Sequence, residues 1–363
     1  MAEIDLQAQM LGNRLKKRMS HLRKWAKRSD VGAFRLYDRD IPEIPLVLDL
    51  YNDGISGALY KRPYEKDEAE ETLWLAAMQS AISNVLEIAP DCIFLKQRQR
   101  KSINSQNLTQ RREGTKDAKE RPHKRVHKRV QYEKMAETQC TRIVRENGLS
   151  FKVNLSDYLD TGLFLDRRAM RRMAGADSTG KRVLNLFSYT GSFSVYATKG
   201  GAVSTDSVDL SNTYQAWARE NFALNGFSAE IVRLQDYGTS AHTLIRADVG
   251  AFLEAAITAR RRWDMIILDP PAFSNSTMAR SDFDLRKDYE ELLTKCLSLL
   301  TPGGKLWFSA SARSFKTSAA KLEIALAAGR PGMTVTDIGN AIIDEDFKER
   351  KMPRAYVVSV KGK

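Results

Sequence analysis

The sequence is poor in the residues that bind metals or form disulfides. It contains three cysteines, Cys92, Cys140 and Cys296, and four histidines among 363 residues, and the cysteines lack metal-ligand spacing. His123 and His127 are four residues apart, but no other histidine or cysteine is close to them in the sequence. We therefore predict no metal site and no disulfide framework, as expected for a reducing, cytoplasmic setting.

Long apolar runs are also missing. No stretch approaches the roughly 18 apolar residues of a membrane-spanning helix. The first residues include Glu3 and Asp5 and form no continuous apolar segment, so we expect no secretory signal. With 42% hydrophobic residues, the chain is expected to be a globular protein of two domains without a membrane partner.

Negative charge is scarce in two segments. The net charge is +13, and residues 1–40 carry ten Lys/Arg against five acids, while residues 96–134 carry fourteen against four. This concentration predicts a polyanion-binding surface, although a solvated face plus a flexible loop is the alternative. The cations that we expect to contact RNA phosphates are Arg14, Lys17, Arg18, Lys24, Arg98, Arg100, Lys101, Lys124, Arg125, Lys128 and Arg129.

The chain divides into three predicted parts. Apolar residues at helical spacing assign residues 1–33 to a basic amphipathic helix. Strand and helix patterns over residues 34–155 predict a small α+β RNA-binding domain. Within it, residues 97–134 are too polar to order themselves and are expected to form a mobile loop. From residue 156 to 363 strands and helices alternate, which predicts a doubly wound, mostly parallel α/β sheet.

Some element positions follow from local signals. Asn52-Asp53-Gly54 predicts the turn of a β-hairpin. Helical spacing predicts a helix over Asn212–Leu224. The apolar run 356–360 predicts a strand that pairs antiparallel with 335–338 or with 341–343.

The most informative stretch is Val183–Ser192. An apolar strand, 183–187, ends in a polar turn with one glycine, Gly191, and a helix pattern follows. A dinucleotide-binding fold needs G-x-G-x-x-G at this place, so that the backbone can approach a pyrophosphate. A nucleotide-like cofactor without phosphates needs no such loop, and S-adenosylmethionine is the common one. The sequence therefore predicts a methyltransferase.

Three acids lie just past successive predicted strands. Asp209 follows the second strand and is placed to accept from both ribose hydroxyls of a cofactor. Asp248 is placed to accept from an adenine amine, and Asp269 lies beside the transferred methyl group. Because carboxyl ends of parallel strands meet at one edge of a sheet, the three acids together strengthen the methyltransferase interpretation.

The string Asp269-Pro270-Pro271-Ala272-Phe273 predicts the catalytic site. Consecutive prolines withhold their N–H groups and leave carbonyls directed into the site, and Phe273 is predicted to stack on the substrate base. Cytosine-C5 methylation needs a cysteine thiolate, and no cysteine follows Pro271 closely. Guanine N7 carries no proton, so its methylation needs alignment and no general base. The lack of a nearby His or Cys fits N7 without excluding guanine N2 or cytosine C5.

Three runs, 154–166, 185–191 and 269–271, closely resemble the large-subunit ribosomal RNA guanine-N7 methyltransferase family. The resemblance covers nearly the whole chain. It implies a class I methyltransferase fold, S-adenosylmethionine as methyl donor, and a substrate in the peptidyl-transferase domain of 23S ribosomal RNA or its large-subunit precursor. The cofactor-binding residues that it implies are Thr161, Asp166, Arg168, Asn185, Phe187, Ser188, Tyr189, Thr190, Gly191, Ser192, Asp209, Ser211 and Asp248.

The chain differs from many family members in two respects. In many bacteria the N7 enzyme is fused to an N2-methylating half with its own RNA-binding module, and we expect this chain to hold RNA without that half. The segment 100–130 is expected to be longer and more basic than in the family, and to supply phosphate contacts. An RNA-binding ribosome-assembly factor without chemistry is the rival from another class, and the intact cofactor acids argue against it.

Overall fold

A computed structural model describes residues 2–60, 67–97, 136, 138–238, 240–274, 283–310, 315, 317–327, 332–348, 350 and 352–360. The helices are α1 (Ala2–Arg28), α2 (Glu68–Leu86), α3 (Arg168–Ala176), α4 (Ser192–Lys199), α5 (Asn212–Leu224), α6 (Val249–Thr258), α7 (Leu285–Ser298) and α8 (Ala319–Ala327). Among these helices, none is both long and apolar enough to cross a membrane.

The strands form four sheets. They are β1 (Ala33–Asp38), β2 (Leu46–Tyr51), β3 (Gly54–Leu59), β4 (Ile93–Gln97), β5 (Thr141–Glu146), β6 (Leu149–Asn154), β7 (Arg182–Leu186), β8 (Ser204–Asp209), β9 (Glu230–Arg233), β10 (His242–Arg246), β11 (Trp263–Leu268), β12 (Phe273–Ser274), β13 (Phe283–Asp284), β14 (Leu300–Ala310), β15 (Met333–Asp337) and β16 (Arg354–Val360). The predicted hairpin turn at 52–54 separates β2 from β3 as expected.

The small domain is a four-stranded sheet in the order β1-β2-β3-β4, covered by α1 and α2. Helix α1 buries an apolar stripe that includes Leu11, Leu15 and Leu22 in one core with the sheet. Asp67 caps α2 by accepting from the Glu70 amide at 2.8 Å. The predicted division at residue 33 therefore separates a helix from the domain to which it belongs.

The large domain contains an eight-stranded sheet in the order β15-β16-β14-β11-β7-β8-β10-β9. Strand β16 runs antiparallel to both of its neighbours, β14 and β15, and the other described pairings of this sheet are parallel. The central strand β11 is apolar and buried on both faces, as parallel strands between helix layers are. The predicted doubly wound α/β sheet is confirmed, and the strand at the end of the chain pairs with β15, the first of the two predicted partners.

The hairpin β5–β6 packs on the large domain, although it was predicted as part of the small one. Trp217 Nε1 donates to the Lys152 carbonyl at 2.9 Å, and the Phe151 ring stacks on Tyr196 with centroids 5.9 Å apart. The hairpin therefore belongs to the core of the methyltransferase-like part. Residues 98–135, which hold nearly all of the predicted mobile loop, lie outside the described residues.

Candidate active site

The predicted acids meet at one edge of the large sheet. Strands β7, β8, β10 and β11 are parallel, and β7 lies between β8 and β11. Their carboxyl ends therefore point to the same side. The loop after β7, Asp209 at the end of β8, Asp248 after β10 and Asp269 after β11 lie along this edge, as the spacing predicted.

The loop after β7 has a strained backbone. Phe187 and Tyr189 have φ values of 55° and 52°, in the left-handed region that non-glycine residues rarely adopt. Gly191 also has a positive φ, 72°, and a Cβ there would lie 2.9 Å from the Ala218 Cβ. The loop is held by Asp209, whose two carboxylate oxygens accept from the amides of Tyr189 (3.0 Å) and Ser211 (2.9 Å).

Ser188 in this loop is a candidate ligand-binding group. Its side chain is buried, and its Oγ has no hydrogen-bond partner among the described residues. A buried hydroxyl without a partner destabilises a protein by about 1–3 kcal/mol, so such groups call for an explanation. Thr190 nearby is satisfied, because its Oγ1 donates to the Gly162 carbonyl at 2.6 Å. A polar ligand lying on the loop would give Ser188 the partner that it lacks.

A cavity of about 310 Å³ opens beyond the carboxyl ends of β8, β9 and β10. Asp248 lies on its wall and also caps α6, because one carboxylate oxygen accepts from the Ala251 amide at 3.0 Å. Ser211 similarly caps α5 through the Tyr214 amide at 3.3 Å. The lining residues are Leu210, Arg233, Leu234, Gln235, Arg246, Ala247, Asp248 and Ala251. The space is large enough for a purine ring held beside Asp248.

Asp269 is held by two groups that were not predicted. Arg167 Nε donates to both carboxylate oxygens of Asp269 at 3.0 Å, and its Nη1 donates to Asp166 at 2.8 Å. Ser309 also donates to Asp269. Burial alone would lower the pKa of Arg167, but Asp166 and Asp269 outweigh burial and raise it. The three charged groups together carry one net negative charge at the carboxyl end of β11.

The neighbouring strands explain why Ser309 reaches Asp269. Leu268 of β11 is in register with Phe308 of β14, so the next residue of each strand lies side by side. Matching the predicted strand ends would have revealed this pair. Arg167 gave no such signal, because two adjacent arginines on a helix point about 100° apart and the sequence does not say which one faces the site.

Exposed aromatic rings flank this charged group. Phe273 is 53% exposed on β12 and Phe164 is 40% exposed three residues before Arg167. Pro270 is buried and Pro271 is half-buried between Asp269 and Phe273. Phe164 packs on Tyr189, with ring centroids 5.0 Å apart. The two exposed rings are available for stacking on a base, as predicted for Phe273.

Three residues expected to contact the cofactor are engaged elsewhere. Arg168 is fully buried and binds Asp346 (2.9 Å) and the Ala33 carbonyl (2.6 Å) between the domains, so its guanidinium does not face the sheet edge where the acids meet. The Thr161 hydroxyl bonds to Tyr51 at 2.7 Å, and Asn185 Nδ2 donates to Ser194 at 2.9 Å inside the sheet. Thr161 and Asn185 therefore bind other side chains of the protein, and Ser192 is the first residue of α4, directly after the loop.

Two of the cations predicted to bind RNA also point inward. Arg14 pairs with Asp40 at 2.6 Å, and the buried Arg18 donates to the carbonyls of Leu36 and Asp346, both at 3.4 Å. Lys17 and Lys24 are exposed, as expected. The remaining predicted contacts lie outside the described residues: Arg98, Arg100, Lys101, Lys124, Arg125, Lys128 and Arg129.

Lys96 of β4 links the small domain to the segment that precedes the site, and it should make stability pH-dependent. Its Nζ donates to the Tyr158 carbonyl, and burial lowers its pKa from 10.5 to about 8, against the opposing effect of Asp160 and Asp157. The folded state therefore disfavours the protonated amine, and the unfolded state binds this proton more tightly. The contribution of Lys96 to the free energy of unfolding is fully present above pH 10.5 and is lost as the pH falls through about 8. Relative to Lys96→Met, the wild-type free energy of unfolding should rise by up to about 3 kcal/mol over that window. Urea titrations at several pH values measure it, and a pH-independent difference would contradict the assignment.

The sequence matches a known family and known proteins. The model of the S-adenosylmethionine-dependent methyltransferase family matches residues 116–320. Ribosomal RNA large subunit methyltransferase K of Neisseria meningitidis serogroup B is 39% identical over 350 residues, covering 96% of this chain and 87% of that protein. Ribosomal RNA large subunit methyltransferase K/L of Methylococcus capsulatus is 38% identical over 353 residues. This chain spans only 42% of the length of that longer relative.

Solved structures share the fold. The crystal structure of SMU.776 complexed with SAH aligns with a TM-score of 0.68 at 22% identity, over 97% of this chain and 82% of that one. The S-adenosylmethionine-dependent methyltransferase from Agrobacterium tumefaciens aligns with a TM-score of 0.54 at 18% identity, over 92% and 91% of the two chains. At these identities the likeness concerns the architecture, which is that of the methyltransferases.

Proposed function

This chain belongs to the S-adenosylmethionine-dependent methyltransferases, in the family of ribosomal RNA large subunit methyltransferase K, and we propose that it methylates guanine N7 in large-subunit ribosomal RNA. The family identity rests on the matches to the whole-length relative and to the family model. We infer the ribosomal RNA substrate from the names of those relatives. The choice of N7 comes from the chemistry of the site.

The residues at the sheet edge fit the cofactor. We assign Asp209 to the ribose hydroxyls and Asp248, on the wall of the cavity of about 310 Å³, to the adenine amine; the buried Ser188 hydroxyl has no partner among the described residues. The missing Cβ of Gly191 lets the loop lie close to α5, because a Cβ there would be 2.9 Å from the Ala218 Cβ. When bound, S-adenosylmethionine supplies a methyl group activated by a sulfonium. The protein's part is to hold the acceptor atom in line with it.

One observation carries the N7 proposal: the Asp269 carboxylate is already occupied by Arg167 and Ser309. A carboxylate held in this way is a poor acceptor for a proton from an exocyclic amine, as N2 methylation would favour. N7 has a lone pair in the ring plane and loses no proton when it is methylated. The reaction leaves a positive charge on the ring, which the net negative charge of Asp166, Arg167 and Asp269 stabilises.

The cysteines argue against cytosine C5 as the target. That mechanism needs a thiolate that adds to the ring. Cys296 of α7 is fully buried in the core and its pKa is raised by that burial, so it is a poor nucleophile. Cys92 and Cys140 lie in the small domain and the β5–β6 hairpin, next to Arg142. We therefore assign no covalent role to any of them.

The target base must leave its helix to reach the site. In A-form RNA the groove edge that bears N7 is deep and narrow, so an unpaired or flipped guanine is required. We assign Phe273 to stack on that base, with Pro270 and Pro271 forming the floor beside Asp269. Phe164, which was not predicted, is exposed and packs on Tyr189, and we assign it a second contact with the base.

Base analogues test the acceptor atom. A large-subunit ribosomal RNA transcript made with 7-deazaguanosine keeps its base pairing but lacks N7, and we expect it to accept no methyl group. A transcript made with inosine lacks the exocyclic amine and should still be methylated. Incorporation of labelled methyl groups measures both. Methylation of the 7-deazaguanosine transcript would overturn the N7 assignment. So would a result in which the inosine transcript is the only one that is not methylated.

Ser188→Ala separates cofactor binding from folding. The variant removes a buried hydroxyl that has no hydrogen-bond partner among the described residues, so the free energy of unfolding should stay within about 0.5 kcal/mol or rise. If the Ser188 hydroxyl forms a hydrogen bond with the cofactor, its removal should increase the dissociation constant for S-adenosylmethionine about 5- to 10-fold. Isothermal titration calorimetry gives the affinity and urea unfolding the stability. Unchanged affinity would exclude Ser188 from the cofactor site.

A further inference from the structure

The outward side of α1 carries cations that the active site does not use. Residues 6–29 contain no acid. The exposed positions form two stripes at i, i+4, i+7 and i+11 spacing, which keeps each stripe on one side of a helix. One stripe is Lys16, Ser20, Arg23 and Lys27; the other is Lys17, His21, Lys24 and Arg28. We call the six Lys and Arg side chains of these stripes the cationic face.

The described part of the chain does not neutralise the cationic face. No described acid forms an ion pair with any of its six side chains, whereas the inward Arg14 is paired with Asp40. The Glu345 carboxylate beside the face already binds His21 at 2.8 Å and Lys348 at 2.6 Å. Six like charges over about 18 Å of helix repel one another unless an anionic partner or counterions lie against them.

The composition of the face indicates the kind of partner. A helix that binds a membrane surface presents large apolar residues beside its cations. Here the apolar residues Leu11, Leu15 and Leu22 are fully buried on the opposite side of α1, inside the small domain. The exposed large apolar residues of α1, Leu6 and Met10, lie nearer its start, before the cationic face begins at Lys16. Only charged and polar side chains occupy the two stripes. A phosphate backbone, which is contacted through charge and hydrogen bonds, suits this surface better than a lipid bilayer.

The helix is fixed to the active site through one buried aspartate. Arg18 on the inner side of α1 donates to the Asp346 carbonyl, and Arg168 of α3 binds the Asp346 carboxylate at 2.9 Å. The Arg35 amide donates to the same carboxylate at 3.0 Å. Arg168 directly follows Arg167, which holds Asp269. A partner bound to the cationic face is therefore held at a set position relative to the catalytic acid.

We propose that the cationic face of α1 is a docking surface for the phosphate backbone of the RNA substrate. The inference rests on the proposed function, because it takes RNA to be the partner. It adds a surface on which the RNA lies while one base enters the site. Because phosphates carry no sequence information, this surface supplies affinity and position, and the site supplies the choice of base.

A charge-matched pair of variants tests the surface. The test variant replaces Lys16, Lys17, Arg23 and Lys24 by glutamine. The control replaces Lys199, Arg219, Arg260 and Arg262, which are exposed on the large domain, so both lose four positive charges. With a large-subunit ribosomal RNA transcript, the test variant should bind about 10- to 100-fold more weakly at 50 mM salt. The slope of log Kd against log salt should fall by roughly 3.

Kinetics and a lipid probe complete the test. The test variant should show a raised KM for RNA with unchanged kcat at saturating RNA, and an unchanged Kd for S-adenosylmethionine, while the control matches the wild type. If the wild type binds RNA and the test variant binds it equally well, the docking surface is wrong and the proposed function stands. If the wild type binds no RNA, the proposed function fails. Loss of binding to phosphatidylglycerol vesicles, with RNA binding unchanged, would also overturn the proposal.

Discussion

Replacing Asp269 by asparagine is expected to lower kcat by about 100- to 1,000-fold, because it removes the charge that stabilises the cationic product ring. The substitution keeps the size of the side chain and one acceptor oxygen for Arg167 and Ser309. Asp209, Asp248 and the loop after β7 are untouched, so the Kd for S-adenosylmethionine should stay within about threefold. Single-turnover methylation of ribosomal RNA measures the first effect and calorimetry the second.

Asp264→Asn is a matched control for this prediction. Asp264 lies at the amino end of the same strand, β11, where it pairs with Arg182 at 3.1 Å. Its replacement should leave kcat unchanged. Full activity of Asp269→Asn, or an equal loss in both variants, would contradict a catalytic charge at Asp269.

Arg167 is assigned as a positioning residue, since it binds the carboxylates of Asp166 and Asp269. Arg167→Met should lower kcat while leaving KM for RNA nearly unchanged, because the carboxylate loses its orientation and the surface does not change. Arg167→Lys keeps the charge but cannot reach both acids with separate nitrogens, so it should restore part of the activity. A lysine variant no better than methionine would mean that the charge of Arg167 is not what matters.

Replacing Glu146 by alanine is expected to lower the free energy of unfolding by about 3–5 kcal/mol, which makes it the largest stability effect in the molecule that we anticipate. Glu146 is buried at the end of β5, and its oxygens accept from Arg171 at 2.9 and 2.8 Å and from the Tyr196 hydroxyl at 2.9 Å. Arg168 lies 3.4 Å away. Removing the carboxylate leaves two buried guanidinium groups short of negative charge.

Urea unfolding followed by tryptophan fluorescence measures this change. Glu220→Ala serves as the control, since Glu220 is about half exposed and pairs with Lys152 at the surface at 2.6 Å. An exposed pair of this kind contributes about 0–1 kcal/mol. If both variants lose the same small amount, the buried network around Glu146 does not stabilise the fold.

Local signals predicted the parts of the fold that depend on neighbouring residues. The helix over Asn212–Leu224 has the predicted bounds, because Ser211 caps its start. The three acids after β8, β10 and β11 lie at one edge because parallel strands place their carboxyl ends together. These features need only periodicity, turn chemistry and the direction of strands.

Buried arginines explain most of the errors. Helix α3 was not predicted, and it buries Arg168 and Arg171 against Glu146 and Asp346, which are distant in the sequence. Arg18 was assigned to the solvent side, although it shares the i, i+4, i+7, i+11 stripe of Leu11, Leu15 and Leu22. A charged residue on an apolar stripe is buried only if a partner arrives from elsewhere in the fold, and a sequence pattern does not reveal that partner.

Nucleoside mass spectrometry of methylated ribosomal RNA tests the central claim most directly. Large-subunit ribosomal RNA that lacks the modification is incubated with the protein and labelled S-adenosylmethionine, digested to nucleosides and compared with the same reaction by Asp269→Asn. We predict labelled 7-methylguanosine with the wild type and little or none with the variant. Label in N2-methylguanosine or 5-methylcytidine, or no label in any nucleoside, would contradict the account.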